Sequence, residues 1–339
     1  MIGSTRSAQH GRLKATGSKR RTPANLALLQ WVLNDKRATV ITYWPQASEA
    51  KEKELRDKIK EECSVLDGII YTKRVQLTEA GVRSLVFHAY GEQPWLEGKA
   101  RQLWGNPSSN PNEKRTVKFQ FIIPDATKTA TCKDKMRWFF DLKPHPKSSV
   151  HIPDRHEEVV IMAEMALNAN SVYYMNNHVE TKGDVCRKVA MELATRVPSL
   201  PEVNPQLRLF PQDMMIDSGA VMGYFGMRLQ TDADILYEDA IDEAFLGDVR
   251  GLHVEAHPFE SNKRGNERAW GQPHLGGSVP TAIDLFNDPG NYGFCHGLKF
   301  VALEQLVRYK ERRNDSPKNN PGKDAKDAAT VKAFIAAHK

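Results

Sequence analysis

The chain has 339 residues, a formal net charge of +6, and hydrophobic and charged fractions of 40% and 27%, close to those of soluble globular proteins. This length allows one large domain or two ordinary ones with a substantial core. No apolar run approaches the roughly 20 residues of a membrane helix, and the first residues lack the apolar core of a secretory signal. Composition therefore excludes a membrane-spanning chain and predicts a soluble, cytoplasmic protein without a membrane partner.

The positive charge is concentrated in the first 24 residues, which contain no acid. Its six cations are Arg6, Arg12, Lys14, Lys19, Arg20 and Arg21. Such a Ser/Gly/Lys/Arg-rich segment cannot build a core, so we expect residues 1–24 to form a disordered basic tail. The tail could bind nucleic acid by neutralising phosphates. A solvated terminus and a weak organelle-targeting segment are the alternatives.

From residue 25 to residue 200 the pattern alternates strands and helices and predicts an α/β domain. Strands are predicted at 38–44, 68–77, 117–124 and 171–177, and helices at 47–63, 78–91, 133–142, 155–168 and 183–197. Four widely separated cysteines show no metal-ligand spacing and predict reduced structural thiols; they are Cys63, Cys132, Cys186 and Cys295.

A proline-rich stretch follows and marks the predicted domain boundary. Prolines 198, 201, 205 and 211 remove backbone donors, so residues 201–212 are predicted to be an extended connector. A second α/β unit is predicted over residues 213–339. The polar segment 310–327 is typical of a loop between helices.

Two aspartates in "TDADIL" are the first candidate site. Asp232 and Asp234 alternate with apolar residues, so on a strand both carboxylates share one face. Neighbouring carboxylates repel unless a cation lies between them, and oxygen ligands suit Mg²⁺ or Mn²⁺. Glu255 in "GLHVEAHPF" is the predicted third acid. Two metals held in this way support phosphoryl or nucleotidyl transfer.

Alternatives to this metal site are open at several positions. Asp232 and Asp234 could be solvated acids at a strand edge. If Glu255 is not the third acid, the next candidates are Asp217, Glu238 and Asp239. His253 and His257 flank Glu255 on the same face of its strand, as expected of a site wall or of an exposed sheet surface.

The stretch "DSGAVMGYFGMRLQTDADIL" resembles the signature of the nucleotidyltransferase superfamily of the DNA polymerase beta type. The resemblance covers about residues 213–335 and implies a mixed sheet with C-terminal helices. It implies that Ser218 and Gly219 form a turn around the nucleotide phosphates and that Arg228 contacts an anion. It also implies metal binding by three acids, namely Asp232, Asp234 and Glu255.

The segments "GLKFVALEQLVRYKERRN" and "KDAKDAATVKAF" resemble the helical part of the same superfamily. The resemblance implies that Lys299 and Lys310 lie near phosphates and that Lys323 and Asp327 lie near the end of the unit. The apolar spacing alone favours a different interpretation. It predicts a single helix with a buried stripe and both Lys299 and Lys310 on its solvated face. The stripe consists of Leu298, Val301, Leu303, Leu306 and Val307.

A second polar cluster lies in the first half of the chain, where a phosphate or sugar-phosphate site is one interpretation. Its residues are Lys135, Arg137, His151 and Asp154. His151 and Asp154 flank a proline turn into a helix whose N-terminus would attract an anion. The favoured alternative is structural. Asp154 would cap the helix and Glu157, three residues later, would complete a capping box.

Three functions are consistent with these features. The leading hypothesis is a metal-dependent nucleotidyltransferase that moves an NMP group from an NTP to a hydroxyl or phosphate acceptor, with residues 25–200 selecting the acceptor. The second is a glycosyltransferase that uses its DxD motif and manganese to hold a nucleotide sugar. The third is a binding module without catalysis that holds nucleic acid or a protein partner.

Overall fold

The structure is a computed structural model. It describes residues 23–47, 52–90, 94–105, 113–125, 127–140, 142, 148–177, 214–229, 232–237, 253–258, 282–295, 298–314 and 321–338. Nearly all of the predicted basic tail, the predicted helix at 183–197 and the predicted connector at 201–212 lie outside these residues.

The first half of the chain forms a four-stranded antiparallel sheet with helices on both faces. Its elements are α1 (Pro23–Asn34), β1 (Thr39–Tyr43), α2 (Glu52–Glu62), β2 (Ser64–Leu77), α3 (Glu79–Tyr90), α4 (Leu96–Trp104), β3 (Arg115–Pro124), α5 (Thr129–Phe140), β4 (Val150–His151), α6 (His156–Leu167) and α7 (Ala169–Asn177). The strand order is β2-β3-β1-β4.

Alternation along the strands divides this sheet into two buried faces. On one face Ile41, Tyr43 and Ile122 pack with Leu55 of α2 and Met136 of α5. The opposite face belongs to the larger core, to which β1 and β3 contribute Val40, Phe119 and Phe121 and the helices α1, α3 and α6 add further apolar side chains. Burial on both faces suits the composition of β1, "TVITY", in which four β-branched residues precede an aromatic one.

The second half of the chain forms a five-stranded mixed sheet. Its elements are β5 (Met214–Asp217), α8 (Ser218–Tyr224), β6 (Asp232–Tyr237), β7 (His253–Pro258), α9 (Ala282–Asn287), β8 (Tyr292–Cys295), β9 (Leu298–Val301), α10 (Leu303–Asn314) and α11 (Pro321–Ala337). The strand order is β7-β6-β5-β9-β8. β5 runs antiparallel to β6 and parallel to β9, and β6 runs parallel to β7. The mixed α/β character expected from the sequence is confirmed.

The two halves meet along α6 and α7, and one continuous hydrophobic core includes residues of both. The Asn168 amide donates to the Tyr292 carbonyl at 2.9 Å, and the Ser171 hydroxyl accepts from the Phe294 N–H at 2.8 Å. The Tyr174 hydroxyl donates to the Val301 carbonyl. These bonds satisfy polar groups of the edge strand β8 and of its neighbour β9, so the second sheet is fixed against the helices of the first half.

The predicted strand at 171–177 is wrong, because this segment is helix α7. The Asn168 side-chain oxygen accepts from the N–H groups of Asn170 and Ser171 and so caps the helix at its N-terminus. Ser171, Tyr174 and Met175 are buried, which is the spacing of one helical face.

The single helix predicted to begin at Leu298 is also wrong. Lys299 and Phe300 belong to strand β9 and pair with Met215 and Ile216 of β5. The helix begins only at Leu303. The apolar stripe is buried as predicted, but its first members are in a strand, whose buried residues are equally apolar.

The prediction of reduced thiols is wrong for two of the four cysteines. Cys63 directly follows α2 and forms a disulfide with Cys132 of α5. The two helices pack side by side on the same sheet face, which brings the sulfurs together. Cys295 is buried and forms no disulfide among the described residues. Disulfides are rare in the cytosol, so this bridge contrasts with the cytoplasmic location expected from the sequence.

No helix in the described part of the chain is long and apolar enough to cross a membrane.

Candidate active site

Three acids lie in one row across neighbouring strands of the second sheet. Asp217, the last residue of β5, is directly opposite Asp234 of β6, and Asp234 is in register with Glu255 of β7. Residues paired in this way share a face, with Cβ atoms typically about 5 Å apart on antiparallel strands. Asp232 lies two residues before Asp234 and is therefore on the same face. The sheet thus collects four acids on one face.

Asp217 is a buried acid that lacks a hydrogen-bond partner for one carboxylate oxygen in the described part of the chain. Its side chain is 3% exposed, and its Oδ1 has no hydrogen-bond partner among the described residues. Burial and the neighbouring Asp234 raise the pKa of Asp217 well above its usual range, although Lys310 and Arg313 act in the opposite direction. The sequence interpretation had treated Asp217 only as a substitute for Glu255. The signal for it was its position, directly after an apolar strand and before a Ser-Gly pair.

The turn after Asp217 has an unusual backbone conformation. Ser218 has a φ of 52°, in the left-handed region that residues with a Cβ rarely adopt. Gly219 follows in the first turn of α8, and a Cβ placed there would lie 1.6 Å from Nη2 of Arg228. The glycine is therefore required for the Arg228 guanidinium to lie against the helix backbone. The structure brings together three residues that the resemblance assigned to the nucleotide.

A buried ion network on α10 and α11 adjoins this turn. The Lys310 amine, 4% exposed, lies 3.1 Å from Oδ1 of Asp324 and 3.3 Å from Oδ2 of Asp327. The same Asp327 oxygen lies 3.6 Å from Nη1 of Arg228. The solvated-face interpretation of Lys310 is therefore wrong. Helix α11 packs on α10 and buries the amine, and the two aspartates neutralise its charge.

Lys299 is also buried rather than solvated, but its neighbours differ from those of Lys310. Its amine donates to the Phe286 carbonyl at 2.6 Å and lies 4.7 Å from the centre of the Tyr292 ring. Glu164 of α6 is an electrostatic partner, and Tyr292 donates a hydrogen bond to the same carboxylate at 2.8 Å. These contacts place Lys299 in the packing between the two halves.

Oxygen donors at the acid row suit a hard divalent cation. The Asp217 carboxylate has an oxygen without a hydrogen-bond partner and faces a second carboxylate, so a cation between them would relieve both the repulsion and the lost solvation. The structure describes the backbones of Asp232, Glu255, His253 and His257 and not their side chains. Among the side chains it does describe, no group of three or more His, Cys, Asp or Glu is placed to hold a metal ion.

The four residues of the second predicted cluster do not all lie together in the structure. Lys135 forms an ion pair with Glu62 of α2. Arg137 and His151 instead lie near each other, as their electrostatic interaction shows, and Lys133 holds Asp154 at 2.9 Å.

The predicted capping box at this helix is wrong. Helix α6 begins at His156, and the residue at the cap position, Arg155, provides no side-chain cap. The carboxylate that reaches back belongs to Glu158, which accepts from the Asp154 N–H at 3.1 Å. Asp154 is one residue too early to cap the helix, and its carboxylate is held by Lys133.

Comparison with protein-family models, with curated proteins and with solved structures finds no match to this chain.

Proposed function

We propose that this protein is a metal-dependent nucleotidyltransferase that transfers an NMP group from an NTP to a hydroxyl or phosphate acceptor. The observation that carries the proposal is the register of Asp217, Asp234 and Glu255 across β5, β6 and β7. Three acids in one row, beside a strained Ser-Gly turn and a half-buried arginine, would supply both parts of such a site. The acids would hold cations, and the turn and the arginine would hold phosphate.

Asp217, Asp234, Asp232 and Glu255 are the residues that would hold magnesium or manganese. Bound there, the cation would neutralise triphosphate charge and lower the pKa of an acceptor hydroxyl. Asp217 would bind the cation as a carboxylate. Its raised pKa in the metal-free protein opposes this charged form. Lys310 and Arg313 favour the charged form, because both lower the pKa of Asp217.

Arg228 is the proposed phosphate contact. Its guanidinium lies against Gly219, and its Nε has no hydrogen-bond partner among the described residues. The ion pair with Asp327 at 3.6 Å orients the side chain without using all of its donors. A planar guanidinium in this position suits the paired oxygens of a phosphate. The ion network of α10 and α11 would thereby hold Arg228 in position at the nucleotide end of the site.

Residues 25–200 would select the acceptor. Their sheet packs against the second half through α6 and α7, so an acceptor bound to the first half can be held at a fixed position relative to the acid row.

Nucleotide binding by the full-length protein, measured calorimetrically with and without Mg²⁺, tests the proposal. We expect an NTP to bind only with the metal and to bind more tightly than a nucleotide sugar. Asp234→Asn and Asp217→Asn should each weaken metal-dependent binding at least tenfold, because each removes a ligand charge. Glu304→Gln is the matched control, since Glu304 is an exposed acid on α10. Equal NTP affinity with and without Mg²⁺ would contradict the proposal, and a preference for nucleotide sugars would favour a glycosyltransferase.

Glu255→Gln separates chemistry from binding. If Glu255 acts at the acceptor hydroxyl, its charge is needed mainly in the chemical step. We expect NTP affinity within a few-fold of the parent and a rate of pyrophosphate release reduced about 100-fold or more. Equal losses of affinity and rate would instead assign Glu255 a structural role. An unaffected rate would move the role of third acid to Asp217, Glu238 or Asp239.

A further inference from the structure

A second group of buried polar atoms lies in the first half of the chain, around the end of β4. His151 is 3% exposed, and neither of its ring nitrogens has a hydrogen-bond partner among the described residues. Its ring packs edge-to-face on Tyr90 of α3, with centroids 4.7 Å apart. A buried polar group without a partner destabilises the folded protein, so this histidine is poorly explained as a packing residue.

The same is true of two further side chains. Both ring nitrogens of His156, the first residue of α6, are buried without a hydrogen-bond partner in the described part of the chain, and so is Nε of Arg137. Arg137 pairs with Asp134 only at 3.4 Å. The Arg137 side chain is 16% exposed and the Asp134 side chain 70%, so the guanidinium faces inward and its acid faces water.

The charges around His151 are mainly positive on the inner side. Lys133 and Arg137 of α5 act on His151 together with Asp154, which follows the proline turn. The Asp154 carboxylate is 77% exposed and is held by Lys133. Close by, Arg155 at the cap position of α6 provides no side-chain cap, and the first turn of the helix carries two acids, Glu157 and Glu158. The Arg137 guanidinium and the N–H of each neutral imidazole call for an acceptor.

We propose that His151, His156 and Arg137 bind the phosphate group of a small phosphate monoester. Phosphate offers several acceptor oxygens and a negative charge, which match the N–H donors of two imidazoles and one guanidinium. A metal ion fits less well. No cation-binding group of His, Cys, Asp or Glu is formed among the described residues, and Lys133 and Arg137 would repel a cation.

This site is independent of the acid row. Glu164, two helical turns after His156 and about 12 Å further along α6, already contacts Tyr292 of the second sheet. The phosphate site therefore lies at the end of α6 that points away from that contact. It requires neither nucleotide nor metal binding at Asp217 and Asp234, so either proposal can fail without the other.

Calorimetric titration of the full-length protein with inorganic phosphate and, separately, with a hexose 6-phosphate tests the proposal. We expect both to bind without a divalent metal, and tighter binding of the sugar phosphate would show that the monoester is the ligand rather than free phosphate. Arg137→Gln and His151→Phe should each weaken binding about tenfold or more. Lys135→Gln should leave binding unchanged, because Lys135 is on the same helix with the same charge but is paired with Glu62.

Folding is checked for each variant by circular dichroism and thermal unfolding. Should His151→Phe not fold, Arg137→Gln still decides, because the Arg137 side chain is partly exposed whereas His151 is buried. Unchanged affinity in Arg137→Gln, an equal loss in Lys135→Gln, or no phosphate binding by the parent would overturn the proposal. The NMR resonances of the His151 and His156 rings give a further test. If they shift on addition of Zn²⁺ but not of phosphate, the phosphate proposal is overturned in favour of a metal site.

Discussion

At the scale of single residues, burial is the main cause of the shifted pKa values of the ionisable side chains discussed below. Desolvation lowers the pKa of His151 to about 3 and raises the pKa values of Glu164 and Asp217. In each case the neutral form is favoured. Glu164 is compensated by the Tyr292 hydroxyl and by Lys299, whereas Asp217 and His151 each keep polar atoms without a hydrogen-bond partner among the described residues. Those two side chains are therefore the ones to which we assign ligands.

His151 should make stability depend on pH. The pKa falls from its usual 6.5 to about 3, so between these values the unfolded chain binds a proton that the folded protein does not. Stability should therefore fall as pH falls below 6.5, by about 1.4 kcal/mol per pH unit from this residue. Urea unfolding of the parent and of His151→Phe, near pH 7 and near pH 5 in phosphate-free buffer, measures this contribution. The same pH dependence in both proteins would contradict it.

Ser218 should hold strain that glycine relieves. Its φ of 52° costs a residue with a Cβ about 1 kcal/mol. Ser218→Gly should therefore be more stable than Ser218→Ala, which keeps the Cβ and loses the same hydroxyl. The difference in the free energy of unfolding should be about 1 kcal/mol, reduced by the greater flexibility of glycine in the unfolded chain. If the alanine variant is equally stable, the turn is not strained.

At the scale of elements, the chain shows where local sequence predicts structure and where it does not. Strands β1, β2 and β3 and helices α2, α3, α5 and α6 were predicted close to their observed positions, because their apolar periods are long and regular. Helix α7 and strand β9 were predicted incorrectly. Both are short, both are largely buried, and a short apolar segment fits either structure until its neighbours are known.

The contact between α7 and β8 offers a sharp test at this scale. A Cβ at Gly293 would lie 1.7 Å from the Tyr174 ring, so Gly293→Ala forces the ring or the strand to move. We expect a loss of stability of about 1–3 kcal/mol by urea unfolding, typical of overpacking. Gly322→Ala in α11 is the control, because no atom lies within 4 Å of the added Cβ. That variant should be neutral or slightly stabilised, and equal effects at both positions would contradict the predicted overlap.

At the scale of the whole molecule, the shared core and the bonds of Asn168, Ser171 and Tyr174 to the second sheet connect the two halves. We therefore expect them to unfold in one cooperative transition. Five of the six tryptophans are in the first half of the chain, so their fluorescence reports on it. Labelling of Cys295, a buried thiol 2.6 Å from the Tyr224 hydroxyl, reports on the second half. The two midpoints in urea should coincide, and labelling of Cys295 at a lower concentration would show independent halves.

Sequence by itself determined the mixed α/β class, the apolar periods of the longer elements and the placement of Asp232 and Asp234 on one strand face, because these depend on local alternation. Only the tertiary structure decided which strands are neighbours. It placed Asp217 opposite Asp234, buried Lys310 between Asp324 and Asp327, paired Cys63 with Cys132, and separated Lys135 from Arg137 and His151. Each of these facts joins residues distant in sequence or on different faces of one helix, and their burial, charge and partners follow from packing that no local pattern contains.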